Sequence, residues 1–148
     1  MPDKSTIEKA KEDKKEGKSP STQAGEFVHD EIEKVRKGKH GVRSVKQAIA
    51  IGLSEARRAG VKLPPPKTGS AALKKKAKQD EEKAASHKPV SKTRSRARIK
   101  ALKKEPTNTV SKKALSKQGK AAAKQRTAAD RSQAAKKAVR TRAKNKQG

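Results

Sequence analysis

The sequence predicts a mostly α-helical chain with extensive disorder: a small αα-hairpin followed by a basic, Ala/Lys-rich, partly helical tail. Three observations lead there. Residues 44–60, SVKQAIAIGLSEARRAG, contain every signal of one complete helix. A second helical pattern precedes it across a short glycine-bounded loop. Charged residues make up 39% of the chain and apolar residues only 29%. Most of the chain therefore has too little to bury to offset an ordering entropy of roughly 1–2 kcal/mol per residue.

Residues 1–20 read as a polar flexible arm, with six lysines against five acids. Ser5 and Glu8 have capping-box spacing and Gly17 can stop a short helix, but Ile7 and Ala10 are its only apolar residues of use. Such a helix is expected to fray, because a short isolated helix is marginal in water.

Residues 21–63 read as the helical hairpin. Val28, Ile32 and Val35 recur at helical spacing with Phe27 beside them, over about residues 24–37. Glu26, Asp30, Glu31 and Glu33 come first and Lys34, Arg36 and Lys37 last, which suits the helix dipole at both ends. Gly38 to Gly41 break the pattern. Ser44 then caps the second helix, with Gln47 at the capping-box position. Val45, Ala48, Ile49, Gly52, Leu53 and Ala56 form its apolar stripe. Arg57 and Arg58 occupy the last turn, and Gly60 supplies a left-handed end with Val61 positioned to touch Ala56. Gly52 on the stripe either lets the two backbones approach or is a tolerated glycine. The hairpin core is thus Phe27, Val28, Ile32, Val35, Val45, Ile49 and Leu53. Two helices bury little, so a homodimer through the hairpin, or docking by a tail helix, is expected to complete it.

Residues 64–70 form a Pro-rich linker, extended by Pro64, Pro65 and Pro66. Residues 71–148 are the basic tail. From Lys62 onward the chain holds 28 of its 42 basic residues and five of its 15 acids, a net of +23 out of +27. Helix signals run from Ala71 to His87, Ser91 to Lys104 and Ser111 to Arg126. A last piece, Ala128 to Lys144, is opened by Thr127 and Asp130. Lysines and arginines all round these wheels repel, so the helices are expected to be fractional. A narrow stripe of Ala135, Ala138, Val139 and Ala143 marks the last one.

A net charge of +27 points to a polyanionic partner, nucleic acid first. The expected contacts are Lys74, Lys75, Lys76, Lys92, Arg94, Arg96, Arg98, Lys100, Lys103, Lys104, Lys112, Lys113, Lys136, Lys137, Arg140 and Arg142. Within SKTRSRARIK, the strict alternation of Lys92, Arg94, Arg96, Arg98 and Lys100 would point one way along an extended chain. Single-strand binders stack bases on aromatic rings, and the chain has one, Phe27. Duplex DNA is therefore the expected partner and RNA the alternative.

Nothing in the sequence calls for catalysis. Cysteine is absent, which excludes disulfide and thiolate chemistry. The three histidines, His29, His40 and His87, lie far apart; His29 and Glu33 have metal-pair spacing but read as solvated surface. No phosphate-binding glycine loop or nucleophile motif occurs. No cofactor, metal or small-molecule substrate is expected, nor a membrane span or targeting segment.

The segment KQAIAIGLSEARRAG, residues 46–60, together with FVHDEIEKVRKGK before it, resembles a small uncharacterised bacterial family defined by a domain of unknown function. Its core reads approximately K-Q-A-I-A-I-x-L-S-E-A-R-x-A-G, and the resemblance spans about residues 24–63. The tail is similar in composition to the Lys/Ala-rich tails of linker-histone-like bacterial proteins, but poorer in proline, with only Pro89 and Pro106. The expectation is a non-enzymatic, nucleoid-associated, cytoplasmic DNA-binding protein that neutralises phosphates without reading sequence. The alternatives are a structured-RNA or ribosome-binding protein, and a protein-interaction module tethered to polyanions by its tail.

Overall fold

Seven helices run through residues 2–67, 69–86 and 88–147, the part of the chain described by a computed structural model: α1 Lys4–Lys15, α2 Pro20–Arg36, α3 Val45–Arg58, α4 Ala71–Ser86, α5 Lys92–Leu102, α6 Lys112–Gln125 and α7 Ala128–Gln147. No strand forms among these residues. The chain divides into two units, residues 2–111 and residues 112–147.

The hairpin of α2 and α3 forms as its capping signals dictate. The Ser44 hydroxyl accepts from the Gln47 N–H at 3.2 Å, and the Gln47 side chain accepts in return from the Arg43 N–H at 2.6 Å. At the far end the Val61 N–H donates to the Ala56 carbonyl and the Gly60 N–H to that of Arg57, both at 3.0 Å. This is the Schellman pattern, and it needs the left-handed φ of 97° that Gly60 adopts. Helix α2 begins earlier than the apolar pattern suggests, because Ser19 caps it and Pro20 opens it.

Phe27, Val35 and Val45 are buried as expected, while Val28, Ile32, Ile49 and Leu53 are half-buried. Ile51, off the predicted stripe, is buried instead. The correction has a physical cause: α3 packs against α4 as well as α2, so more than one of its faces is covered. Gly52 is an approach point. A Cβ there would lie 2.6 Å from the Val28 Cα, closer than any packed side chain permits.

Helix α1 docks where the sequence reading leaves a frayed arm. Ala10 is buried in one cluster with Ala24, Phe27, Ala56 and Val61, and Ile7, Leu53 and Leu63 pack against it. Two small apolar residues are enough because the hairpin supplies Phe27 as the other half of the contact. The Lys34 ammonium fixes the edge of this layer, 2.8 Å from Asp30 and 3.9 Å from Asp3.

The first part of the tail is folded onto the hairpin. Arg57 donates to the carbonyls of Leu63 at 3.4 Å and Pro64 at 3.2 Å, which fixes the start of the proline segment. Helix α4 then returns to α3, burying Ala77 and Asp80. Asp80 is 1% exposed. It accepts from the Ser54 hydroxyl at 2.6 Å, the Lys76 ammonium at 2.7 Å and the Arg58 guanidinium at 3.1 Å. Burial alone would raise its pKa, but the hydrogen bonds from Lys76, Ser54 and Arg58 outweigh that and hold it below the ordinary aspartate range.

Farther on, Leu102 and Val110 are buried, and the segment between them lies along the α2–α3 loop. Residues 71–111 therefore do not behave as free tail: docking onto α3 and the loop completes the hairpin. Residues 112–147 are different. Neither α6 nor α7 buries a residue. They rest on alanine's propensity and on caps such as the Thr127 hydroxyl, which accepts from the Asp130 N–H at 3.1 Å.

Candidate nucleic-acid interface

The helical state of residues 92–102 rearranges the cations that the alternating sequence presents. In a helix each residue advances about 100° and about 1.5 Å. Lys92, Arg96 and Lys100 then share one face and Arg94 and Arg98 fall on another, so the extended single-sided array does not form. Lys103, in the turn that follows, continues the first face. All of these side chains are exposed. The Ser91 hydroxyl accepts from the Arg94 N–H at 3.4 Å and starts the helix, which overrides the alternation.

The same arrangement recurs on α6. Lys113, Lys117, Lys120 and Lys124 fall within an arc of about 60° along about 16 Å of helix, each of them exposed. The opposite face carries Ala114, Leu115 and Gln118, all half-buried. The lysines of α6 do not encircle the wheel, contrary to the sequence reading. On α7, Lys136, Arg140 and Lys144 make a third stripe with Lys137 beside it, while Arg131 and Arg142 lie apart. The i, i+4, i+7/8 spacing was in the sequence throughout. Lys117, Lys120, Lys124 and Lys144 join the expected contacts on these faces, and their signal is helical periodicity of cations rather than of apolar residues.

No carboxylate among the described residues lies within ion-pair distance of the eleven stripe cations. Like charges four residues apart on a helix destabilise it by about 0.2–0.5 kcal/mol per pair. These faces repel themselves, and a polyanion laid along them removes that repulsion.

The other predicted contacts are placed as follows. Lys74 and Lys75 are exposed on α4, about two turns before the acids Glu81 and Glu82 of the same helix. Lys76 bonds to Asp80 in the α3–α4 contact. Lys104 is exposed just after α5, and Lys112 opens α6. His29 is exposed, His40 is buried, and His87 lies outside the described residues. No group of acids and histidines that could hold a metal occurs among the described residues. No helix there is long and apolar enough to cross a membrane.

The geometry thus defines a small helical core followed by helices with cationic faces. Residues 3–67 match a family described as a family of unknown function, DUF6496. The match takes in α1, α2, α3 and the extended segment after them. It starts at the N-terminal arm and not at residue 24, consistent with α1 being part of the packed unit. No curated protein and no solved structure matches the chain.

Proposed function

We propose that this protein binds duplex DNA through its phosphate backbone, without reading sequence and without catalysis, as a nucleoid-associated protein. The observation that carries the reading is the set of exposed, unpaired cation stripes on α5, α6 and α7. Their steps of about 6 Å along each helix let successive side chains reach successive phosphates. Lysines that neutralise phosphates release condensed counterions, which makes binding tight at low salt and indifferent to sequence. Phe27, the sole aromatic of the chain, is 1% exposed. Among the described residues the exposed aromatic ring is the His29 imidazole, too little to stack a run of single-stranded bases, which favours duplex.

The test is a fluorescence-anisotropy titration of labelled duplexes at several salt concentrations. If about ten cations engage phosphates, log K falls against log salt with a slope of about −9. Unrelated duplexes should bind alike, and single strands of equal charge should not outcompete them. A chain lacking residues 112–148 loses 13 bases and one acid and should bind far more weakly. Preference for a structured RNA over duplex DNA of equal charge would replace the DNA reading.

A further inference from the structure

Helix α5 carries two rows of cations, and they lie on opposite sides of it. At about 100° per residue, Lys92, Arg96, Lys100 and Lys103 fall within an arc of about 80°. Arg94 and Arg98 fall within about 40°, centred about 180° from the first row. The Arg98 charge is also felt by the buried Glu31 carboxyl of α2, so its hold on an outside anion is the weaker of that pair. Every residue of α5 except Ser95 and Leu102 is exposed. Those two are neighbours on the wheel and mark the side turned to the protein. The side facing away from them carries Thr93, Ala97 and Ala101, midway between the two rows. The outermost ridge of α5 is therefore its thinnest, with positive charge standing on each side of it.

The folded core holds α5 by its C-terminal end. In the α2–α3 loop the Gly41 N–H donates to the Leu102 carbonyl at 2.9 Å and the Val42 N–H to that of Pro106 at 3.0 Å. The Thr109 hydroxyl donates to the Val42 carbonyl at 2.9 Å, and the Arg36 Nε–H to that of Val110 at 3.2 Å. Val42 and Val110 are buried, and a Cβ at Gly41 would collide with the Glu105 and Pro106 backbone. The last turn of α5 and the segment after it are thus laid directly on the loop backbone. The helix is presented from a fixed base, with Thr93, Ala97 and Ala101 outward.

We infer that α5 seats in the major groove of duplex DNA, its thin ridge toward the base pairs and one cation row against each phosphate backbone. This rests on the duplex reading above and adds where on the duplex the chain sits. The dimensions select the groove. An α-helix with its side chains is about 10–12 Å across, whereas the major groove of B-form DNA is about 12 Å wide and the minor groove about 6 Å. A helix resting on the outside of one strand would engage one row and leave the other without a phosphate. Opposed rows meet both strands at once. Alanine has no side-chain hydrogen-bonding group, and on the ridge only Thr93 has one, so the groove is filled but barely read. Binding then stays indifferent to sequence. Helix α6, with one row inside an arc of about 60°, suits a single backbone from outside. In an RNA duplex the major groove is deep and narrow, so the seat also makes the chain prefer DNA to RNA.

The test compares two DNA duplexes of one sequence, the second carrying glucosylated hydroxymethylcytosine. Its neutral sugars fill the major groove and leave the phosphate charge unchanged. Anisotropy titrations of the full chain over a range of salt give the slope of log K against log salt for each. On the glucosylated duplex the slope should be shallower by about 5, from the six cations of α5 at about 0.9 each. An RNA duplex of equal length should show the same loss. Ala97→Leu combined with Ala101→Leu thickens the ridge at exposed positions while keeping good helix formers. That variant should flatten the slope on the plain duplex and leave the slope on the glucosylated one unchanged. Equal native slopes on the plain and glucosylated duplexes, or on DNA and RNA, overturn the groove seat and leave phosphate binding standing. A double variant that acts on both DNA duplexes alike, or on neither, does the same. A native chain without salt-dependent binding to the plain duplex overturns the duplex reading itself.

Discussion

Replacing Asp80 by alanine removes the acceptor that joins α4 to α3. Three donors converge on that carboxylate, from Ser54, Lys76 and Arg58, and the Arg58 guanidinium also donates to Ser54 at 2.9 Å. Their contributions are unequal. The Lys76 side chain is 49% exposed and regains water when released, so its share is small. Arg58 is about a quarter exposed and Ser54 half-buried, so they lose more. Hydrogen bonds to a charged group contribute about 1.5–3 kcal/mol each, and with the lysine discounted the loss should be about 3 kcal/mol. For a folded unit of this size that is a fall in Tm of roughly 10–15 °C, read by circular dichroism at 222 nm on the full chain. The same group sets an acid limit. Its folded pKa lies below the unfolded value, so its stabilisation is complete above the ordinary aspartate range and is lost as pH falls through the folded value. Asp80→Ala should therefore remove part of the acid-induced destabilisation as well. A loss under about 1 kcal/mol, against the several expected when a buried charge partner is removed, would mean that Asp80 does not hold α4 in place.

Other substitutions probe the packing directly. Gly52→Ala forces a methyl against the Val28 backbone and should cost about 1–3 kcal/mol by overpacking, read as a lowered midpoint in urea. Ile51→Asp should destabilise the hairpin by several kcal/mol, as an unpaired buried charge does, and more than Ile49→Asp, whose site is half-open. Equal effects in thermal melts of the two variants would contradict the second packed face of α3. Neither α6 nor α7 contains a fully buried residue, so deleting residues 112–148 should lower the melting temperature of the remainder by less than Asp80→Ala does. The helicity of that segment should rise with salt as its lysines are screened.

The hairpin was readable because its signals were local: Ser44, Gln47 and Gly60 fix one helix, and each side chain acts within four residues of its own position. The docking of α1 and α4 was not readable for the opposite reason. Ala10 and Ala77 look negligible until Phe27 and α3 face them, and Asp80 reads as one more charge in a polar helix until Ser54 and Arg58, 26 and 22 residues away, converge on it. The burial of His40 beside Glu31 was not readable either, because the two residues are brought together only by the loop geometry. In the tail, residue types pointed to a polyanion, but the alternation from Lys92 to Lys100 suggested an extended array. A serine cap and a run of helix-compatible residues settled the backbone differently, and with it the direction of every cation.

The central claim is that the cation stripes, and not net charge alone, engage the duplex. Lys113, Lys117, Lys120 and Lys124 changed together to glutamine can be compared with a chain in which four exposed lysines outside the stripes, Lys4, Lys9, Lys11 and Lys14 on α1, are changed likewise. Both variants lose the same charge. The measurement is the slope of log K against log salt for one duplex. The α6 variant should flatten the slope by about 3.6, the release of four phosphate contacts, while the α1 variant keeps the native slope within error. Equal changes in the two variants would contradict the account, because binding would then follow total charge and the faces of the helices would have no part in it.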